Sequence, residues 1–211
     1  MDGAVLPIFL RLQGRAALLV GGDGEAGRKG GALLRAGVRL TIVSPTLEDA
    51  QLREAVADGE AVWRMEPFCP DHLEGMWLAV SVLSDVAINT QIFAAAVARN
   101  VLLNVVDQPQ FCTFVWPAVV ERLPVTVAIG TGGASPALAG YLRRQVEAWL
   151  PERIGLLAEW LALWRRRVPG GLSVRARFWR DVLDHGVAER FLAGDEEGAN
   201  ALLDKALAES Q

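Results

Sequence analysis

Apolar positions along the chain recur with two alternating periods. Ala16-Ala17-Leu18-Leu19-Val20 is a continuous apolar run closed by glycines, which predicts a strand buried on both faces of a parallel sheet. Good helix formers follow from Glu25 to Ala36, with Ala26, Leu33 and Leu34 on or near one face and Gly37 as the stop. The alternation continues through a strand at Arg39–Val43, a helix from about Leu47 to Asp58 and a strand near Ala61–Met65. A strand at Trp77–Val82, a helix from about Val86 to Arg99 and a strand at Val101–Val106 complete it. Strands alternating with helices in this way predict a doubly wound α/β sheet.

After Pro109 the rhythm changes. Phe114–Val120 and Val125–Gly130 are β-rich and joined by Glu121-Arg122-Leu123-Pro124 as a hairpin-like pair, and Ser135-Pro136 then opens a helix to about Trp149. Beyond Pro151 the pattern is helical, with breaks at Pro169-Gly170-Gly171, near Gly186 and at Gly194-Asp195. Trp160 and Trp164, four residues apart, share one helix face there.

Composition narrows the class. Of 211 residues, 52% are apolar and 22% charged, enough for a sizeable core and far from a disordered chain. The formal charge of −4 offers no global attraction for a phosphate backbone, so nucleic acid is not expected as a partner. Cys69 and Cys112 show no disulfide framework or zinc-site spacing and read as core thiols in a reducing cytoplasm. No metal centre is expected, and His72 and His185 read as isolated, solvated or core imidazoles. The Arg165-Arg166-Arg167 run reads as a solvated helix end.

Met1-Asp2-Gly3 does not begin a signal peptide. The uncharged stretch Leu123–Leu142 could span a bilayer by length, but Pro124, Pro136 and four glycines make it a folded turn region, so no membrane partner is expected.

Three segments could carry chemistry. Gly21-Gly22-Asp23-Gly24-Glu25-Ala26-Gly27 lies between the first strand and the first helix, where glycines let a backbone approach pyrophosphate at a helix N-terminus. The alternative is a glycine-rich turn that only connects the two elements. Asn104-Val105-Val106-Asp107-Gln108-Pro109 puts a carboxylate just past a strand's carboxyl end, either to exchange a proton with a ligand or to open a turn before proline. Gly130-Thr131-Gly132-Gly133-Ala134-Ser135-Pro136 converges on a helix start, either as an anion seat or as a simple cap.

Together these segments resemble the N-terminal module of siroheme synthase, the precorrin-2 dehydrogenase and sirohydrochlorin ferrochelatase family. The resemblance runs through Leu6-Pro7-Ile8-Phe9, Val20-Gly21-Gly22, Ala26 with Arg28-Lys29, Asn89, Asn104-Val105-Val106-Asp107, Pro117-Ala118, Gly132-Gly133-Ala134-Ser135-Pro136, Leu150-Pro151 and Arg177-Phe178-Trp179. It implies a Rossmann-like dinucleotide-binding domain over residues 1–112, a small α+β dimerisation unit over 113–150 and a C-terminal helical domain over 151–211. The methyltransferase module fused to some members is not expected in this chain.

By the same resemblance NAD is the cofactor, held by Gly21, Gly22, Asp23, Gly24, Glu25, Ala26, Ser44, Pro45, Leu83 and Ser84. Asp107 is the acid/base residue, and Asn104, Thr131, Gly132, Gly133 and Ser135 face the tetrapyrrole. Arg143 and Arg144 are further donors for its carboxylates. Precorrin-2 would be oxidised to sirohydrochlorin, with Fe²⁺ or Co²⁺ as a substrate metal for chelation, in a cytoplasmic homodimer.

Three positions depart from the family pattern. Asp23 stands where a third glycine is usual, although a one-residue shift restores Gly22-x-Gly24-x-x-Gly27. Val82-Leu83-Ser84-Asp85 replaces an Ala-Thr-Asp pattern, and Ser44 follows the second strand where an acid would bind the ribose. A second expectation follows from these departures: a member that binds tetrapyrrole or inserts metal without dehydrogenation. A third is a nucleotide-sensing regulatory module.

Overall fold

The computed structural model describes residues 5–209. The segment Met1-Asp2-Gly3 and the outer bounds of the first and last expected domains lie outside the described residues.

Five strands, β1 (Ala16–Val20), β2 (Arg39–Val43), β3 (Ala61–Arg64), β4 (Leu78–Ser81) and β5 (Leu102–Val105), form one parallel sheet in the order β3-β2-β1-β4-β5. Strand β1 is central, and Ala17 to Val20 are buried, as a run without polar alternation requires. Helices α1 (Gly24–Arg35) and α2 (Ala50–Ala57) contribute to one core with Ala26, Leu33, Leu52 and Ala55, while α3 (Val86–Ala98) contributes Ile92, Ala95 and Ala96 to the other. The doubly wound α/β expectation is met. The chain order reverses between β1 and β4, and sheets of this kind bind ligands in the crevice outside the strand ends at such a point.

Past the sheet, β6 (Ala118–Arg122) and β7 (Val125–Ile129) form an antiparallel hairpin, followed by α4 (Pro136–Trp149). Helices α5 (Ile154–Trp164), α6 (Leu172–Asp184), α7 (Val187–Leu192) and α8 (Glu196–Glu209) complete the chain, around a core that includes Leu157, Trp164, Phe178, Phe191 and Leu203. The breaks fall at Gly170, Gly186 and Gly194, each at positive φ, and Trp160 and Trp164 meet at 5.9 Å. Two compact units result. One runs to Trp116 and takes in Gly132–Ala134; the other comprises Pro117–Thr131 and the chain from Ser135 on.

Several expectations need correction. Strand β6 starts at Ala118, not Phe114: Phe114 and Trp116 pack on the first core and Pro117 has no N–H for a ladder. Helix α2 starts at Ala50, because Leu47 is spent in the core and Asp49 caps the helix, accepting from the Leu52 N–H at 2.9 Å. Cys69 is no core thiol. It is exposed, heading the 3₁₀ turn Pro70–Leu73 that leads away from edge strand β3. His72 is not isolated either: its Nδ1 accepts from the Cys69 N–H at 3.0 Å and its Nε2 lies 3.0 Å from Glu66 Oε1. Among the described residues no helix is long and apolar enough to cross a membrane.

Candidate functional site

The turn between β1 and α1 is shaped by close packing. Gly21 has φ +117°, and a methyl group there would lie 2.4 Å from Val82 Cγ2 and 3.5 Å from Leu83 Cδ2. At Gly22 a methyl group would meet the Thr46 carbonyl at 2.1 Å and Ser44 Oγ at 3.1 Å. The fold thus brings together Gly21, Gly22, Ser44 and Leu83 from three strand ends. Gly27 lets α1 approach the carboxylate of Asp49, while the position above Gly24 is open. Pro45 is exposed beside Ser44.

Asp23 caps α1. Its Oδ1 accepts from the N–H groups of Glu25 and Ala26, at 3.1 Å each. A carboxylate of the protein therefore sits on two of the donors that would otherwise face an anion. The N–H groups of Gly22, Asp23 and Gly24 carry no hydrogen bond among the described residues and remain for a pyrophosphate. Glu25 is bonded to Arg28 through Arg28 Nε at 3.0 Å, which holds the Glu25 carboxyl below its ordinary range.

The loop after β4 is pinned from beneath. Ser81 Oγ donates to Asn89 Oδ1 at 2.7 Å, Asn89 Nδ2 donates to the Leu83 carbonyl at 2.8 Å, and both side chains are fully buried. Asp85 caps α3, accepting from the N–H groups of Ala87 and Ile88 at 2.8 and 3.1 Å. From the other side Gln108 Nε2 donates to the Ser84 carbonyl at 3.1 Å. Gln108 Oε1 is left as the one fully buried side-chain polar atom without a hydrogen-bond partner among the described residues. An orphan acceptor beside Leu83-Ser84 and an open space above Gly24 fit a bound dinucleotide; the Asp23 cap narrows that fit.

Asp107 lies just past β5, exposed, with φ +58°. Only a few non-glycine residues adopt this region, Asp among them, and such backbone concentrates at functional sites. The basic pair of α1 feels its charge. Glu25, chiefly through its hydrogen bond, and then Asp107 raise the Arg28 guanidinium, and Asp107 opposes a larger effect on Lys29. Burial, then Arg28, pulls the Lys29 ammonium down to about 8, against Glu25, Asp107 and Cys112. Lys29 is 5% exposed and its Nζ stands 4.3 Å from the centroid of the Trp116 ring.

The remaining expected residues are largely occupied by the protein itself. Asn104, 7% exposed, donates through Nδ2 to the Phe114 carbonyl at 3.1 Å. In the second unit Thr131 Oγ1 donates to the Ser135 carbonyl at 3.1 Å, and Ser135 Oγ caps α4 through the Leu138 N–H at 3.1 Å. Gly132 and Gly133 take positive φ in the bend between them. Arg143 is paired with Glu147 on its own helix at 2.8 Å. No group of three His, Cys, Asp or Glu among the described residues is arranged to hold a metal ion.

Sequence reading assigned no role to Ser81, Gln108 or Lys29. A signal for Lys29 existed: it is a lysine at helical spacing within the apolar face of Ala26, Gly30 and Leu33.

Comparison with known proteins agrees with this architecture. Residues 8–118 match a family model described as "Putative NAD(P)-binding", and residues 153–207 match the "Sirohaem synthase dimerisation region". The chain is 38% identical over 205 residues to the siroheme synthase of Nitrosococcus oceani, covering 96% of this chain and 44% of that one. It is 39% identical over 208 residues to that of Nitrosospira multiformis, with 96% and 44% covered. It thus spans less than half the length of these relatives. The solved structure titled "SirC, precorrin-2 dehydrogenase" shares the fold, with a TM-score of 0.79 at 22% identity over 96% of this chain and 98% of that one. From the five-stranded sheet, the glycine turn at its switch point and these matches, the chain belongs to the family of the siroheme synthase N-terminal module.

Proposed function

We propose that the protein oxidises precorrin-2 to sirohydrochlorin as an NAD-dependent dehydrogenase. The observation that carries this reading is Asp107, an exposed carboxylate in left-handed backbone at the carboxyl edge of the sheet, one strand from the switch-point crevice. Bound NAD⁺ supplies the hydride acceptor. Gly21, Gly22 and the free N–H groups through Gly24 would hold its pyrophosphate, with Ser44 and the Leu83-Ser84 loop beside it. Loss of hydride leaves a cationic macrocycle that must shed a proton, and the Asp107 carboxylate takes it.

The same carboxylate would receive pyrrole protons as Fe²⁺ or Co²⁺ enters the ring, so chelation belongs to the proposal with metal as substrate. A cytoplasmic setting belongs to it too. Self-association is assigned to the segment 113–150, where Leu138, Tyr141, Leu142 and Trp149 of α4 are exposed. The family region named for dimerisation covers 153–207.

Purified protein given precorrin-2 and NAD⁺ should form sirohydrochlorin. Asp107→Ala should lower the rate by about 10²- to 10⁴-fold, the usual contribution of a positioned acid/base group. Unimpaired turnover in that variant would reject the assignment. The Asp23 cap favours a second reading, tetrapyrrole binding or metal insertion without dehydrogenation; sub-micromolar NAD⁺ binding by the unmodified protein would eliminate it.

A further inference from the structure

Lys29 is a buried ammonium with nothing to hold. Its residue is 5% exposed, yet it forms no ion pair and donates no hydrogen bond among the described residues. Its one close partner is the face of Trp116, which packs with Phe114 at 6.1 Å between ring centroids. A cation–π contact replaces only part of the hydration that burial removes. At this position of α1, between Ala26 and Leu33, a leucine or methionine would pack without that cost.

Nor is the ammonium sealed. Among the described residues Gln108 Oε1 is the only fully buried side-chain polar atom without a partner, so the Lys29 Nζ, which also has none there, keeps contact with solvent. Three unused N–H donors therefore reach solvent in a region where Arg28 opposes the ammonium and Glu25, then Asp107, favour it.

We propose that Lys29 seats a carboxylate of the tetrapyrrole beside Asp107, with the Trp116 ring as the floor of that seat. This rests on the tetrapyrrole reading and names the group recognised. Seating a substrate carboxylate on Lys29 fixes how the macrocycle lies against Asp107, so Lys29 is a positioning residue. The charged and titratable groups around it are Glu25 and Arg28 on its own helix, Asp107 after β5, and Cys112. The Cys112 thiol, pushed up by burial from its ordinary 9.0, keeps its proton below that pH. Lys29 is thus the group that loses charge between pH 7 and 9.

The test is binding without turnover. Sirohydrochlorin and NAD⁺ are titrated separately into wild type and Lys29→Met from pH 7 to 9, with a thermal melt of each. Wild-type affinity for sirohydrochlorin should fall about tenfold across this range, and Lys29→Met should bind about tenfold more weakly at pH 7 with a flat profile. NAD⁺ affinity should stay within about twofold. Equal sirohydrochlorin binding and the same pH profile in both proteins overturn the proposal, as does a loss confined to NAD⁺. If the variant fails to fold, the wild-type profile decides alone. Absence of any sirohydrochlorin binding by wild type removes the tetrapyrrole reading itself, whereas binding indifferent to Lys29 removes only the seat.

Discussion

Replacing Asp23 by glycine separates two demands made on one helix start. In the wild type Oδ1 accepts from the Glu25 and Ala26 N–H groups at 3.1 Å, the place a pyrophosphate oxygen would take. A carboxylate about 4 Å from a phosphate charge opposes it by about 1 kcal/mol at the dielectric of water and about 4 kcal/mol at an effective dielectric near 20. Asp23 is exposed, so the true figure lies between these limits. Asp23→Gly should therefore tighten NAD⁺ binding by between about fivefold and a thousandfold, and it frees two further donors. The stability lost is small, since glycine in place of a capping side chain costs only a few tenths of a kcal/mol. Calorimetric titration with NAD⁺ reads the affinity, and a melting curve checks the helix. Unchanged or weaker binding in a variant that melts like wild type would refute the reasoning, because the carboxylate would then be helping to hold the cofactor.

The buried Ser81–Asn89 pair makes a different kind of claim. Asn89→Ala leaves the buried Ser81 O–H without its acceptor and the Leu83 carbonyl with only the 3.5 Å bond from Gln108 Nε2, and should lower stability by about 1–3 kcal/mol, read as a fall in the urea midpoint at constant slope. Removing Ser81 as well should cost less than the sum of the single changes. On the face of α4, Tyr141→Glu should shift the protein toward monomer in analytical ultracentrifugation. Lys29 sets a pH dependence of stability. Its folded value of about 8 lies below its ordinary 10.5, so the folded state binds fewer protons than the unfolded state between those values. The destabilisation is complete below pH 8 and is relieved as pH rises toward 10.5. Denaturation of wild type and Lys29→Met across this window should show the gap between them changing in that direction, and a constant gap would refute it.

Much of this protein was legible in its residues. The unbroken run Ala17–Val20 could only be a strand covered on both faces, the glycines after it could only turn, and a helix had to follow. Such features depend on local period and backbone freedom, which neighbours in sequence determine. Motif positions likewise marked Asp107 and the glycine turn, and the matched family covers both.

What the residues did not disclose depends on partners distant along the chain. Asn104 was expected to face a ligand, but its amide is bonded to Phe114, ten residues away, because that segment folds back onto β5. Cys69 was expected inside, but the edge position of β3 puts the following loop in solvent. The idle ammonium of Lys29 exists only because Trp116 covers α1, and the orphan oxygen of Gln108 only because its amide nitrogen is spent on Ser84. Periodicity assigns a side chain to a face. Whether a polar atom on that face is satisfied, idle or strained depends on which groups the completed fold brings within hydrogen-bonding distance, and that is a property of the tertiary structure alone.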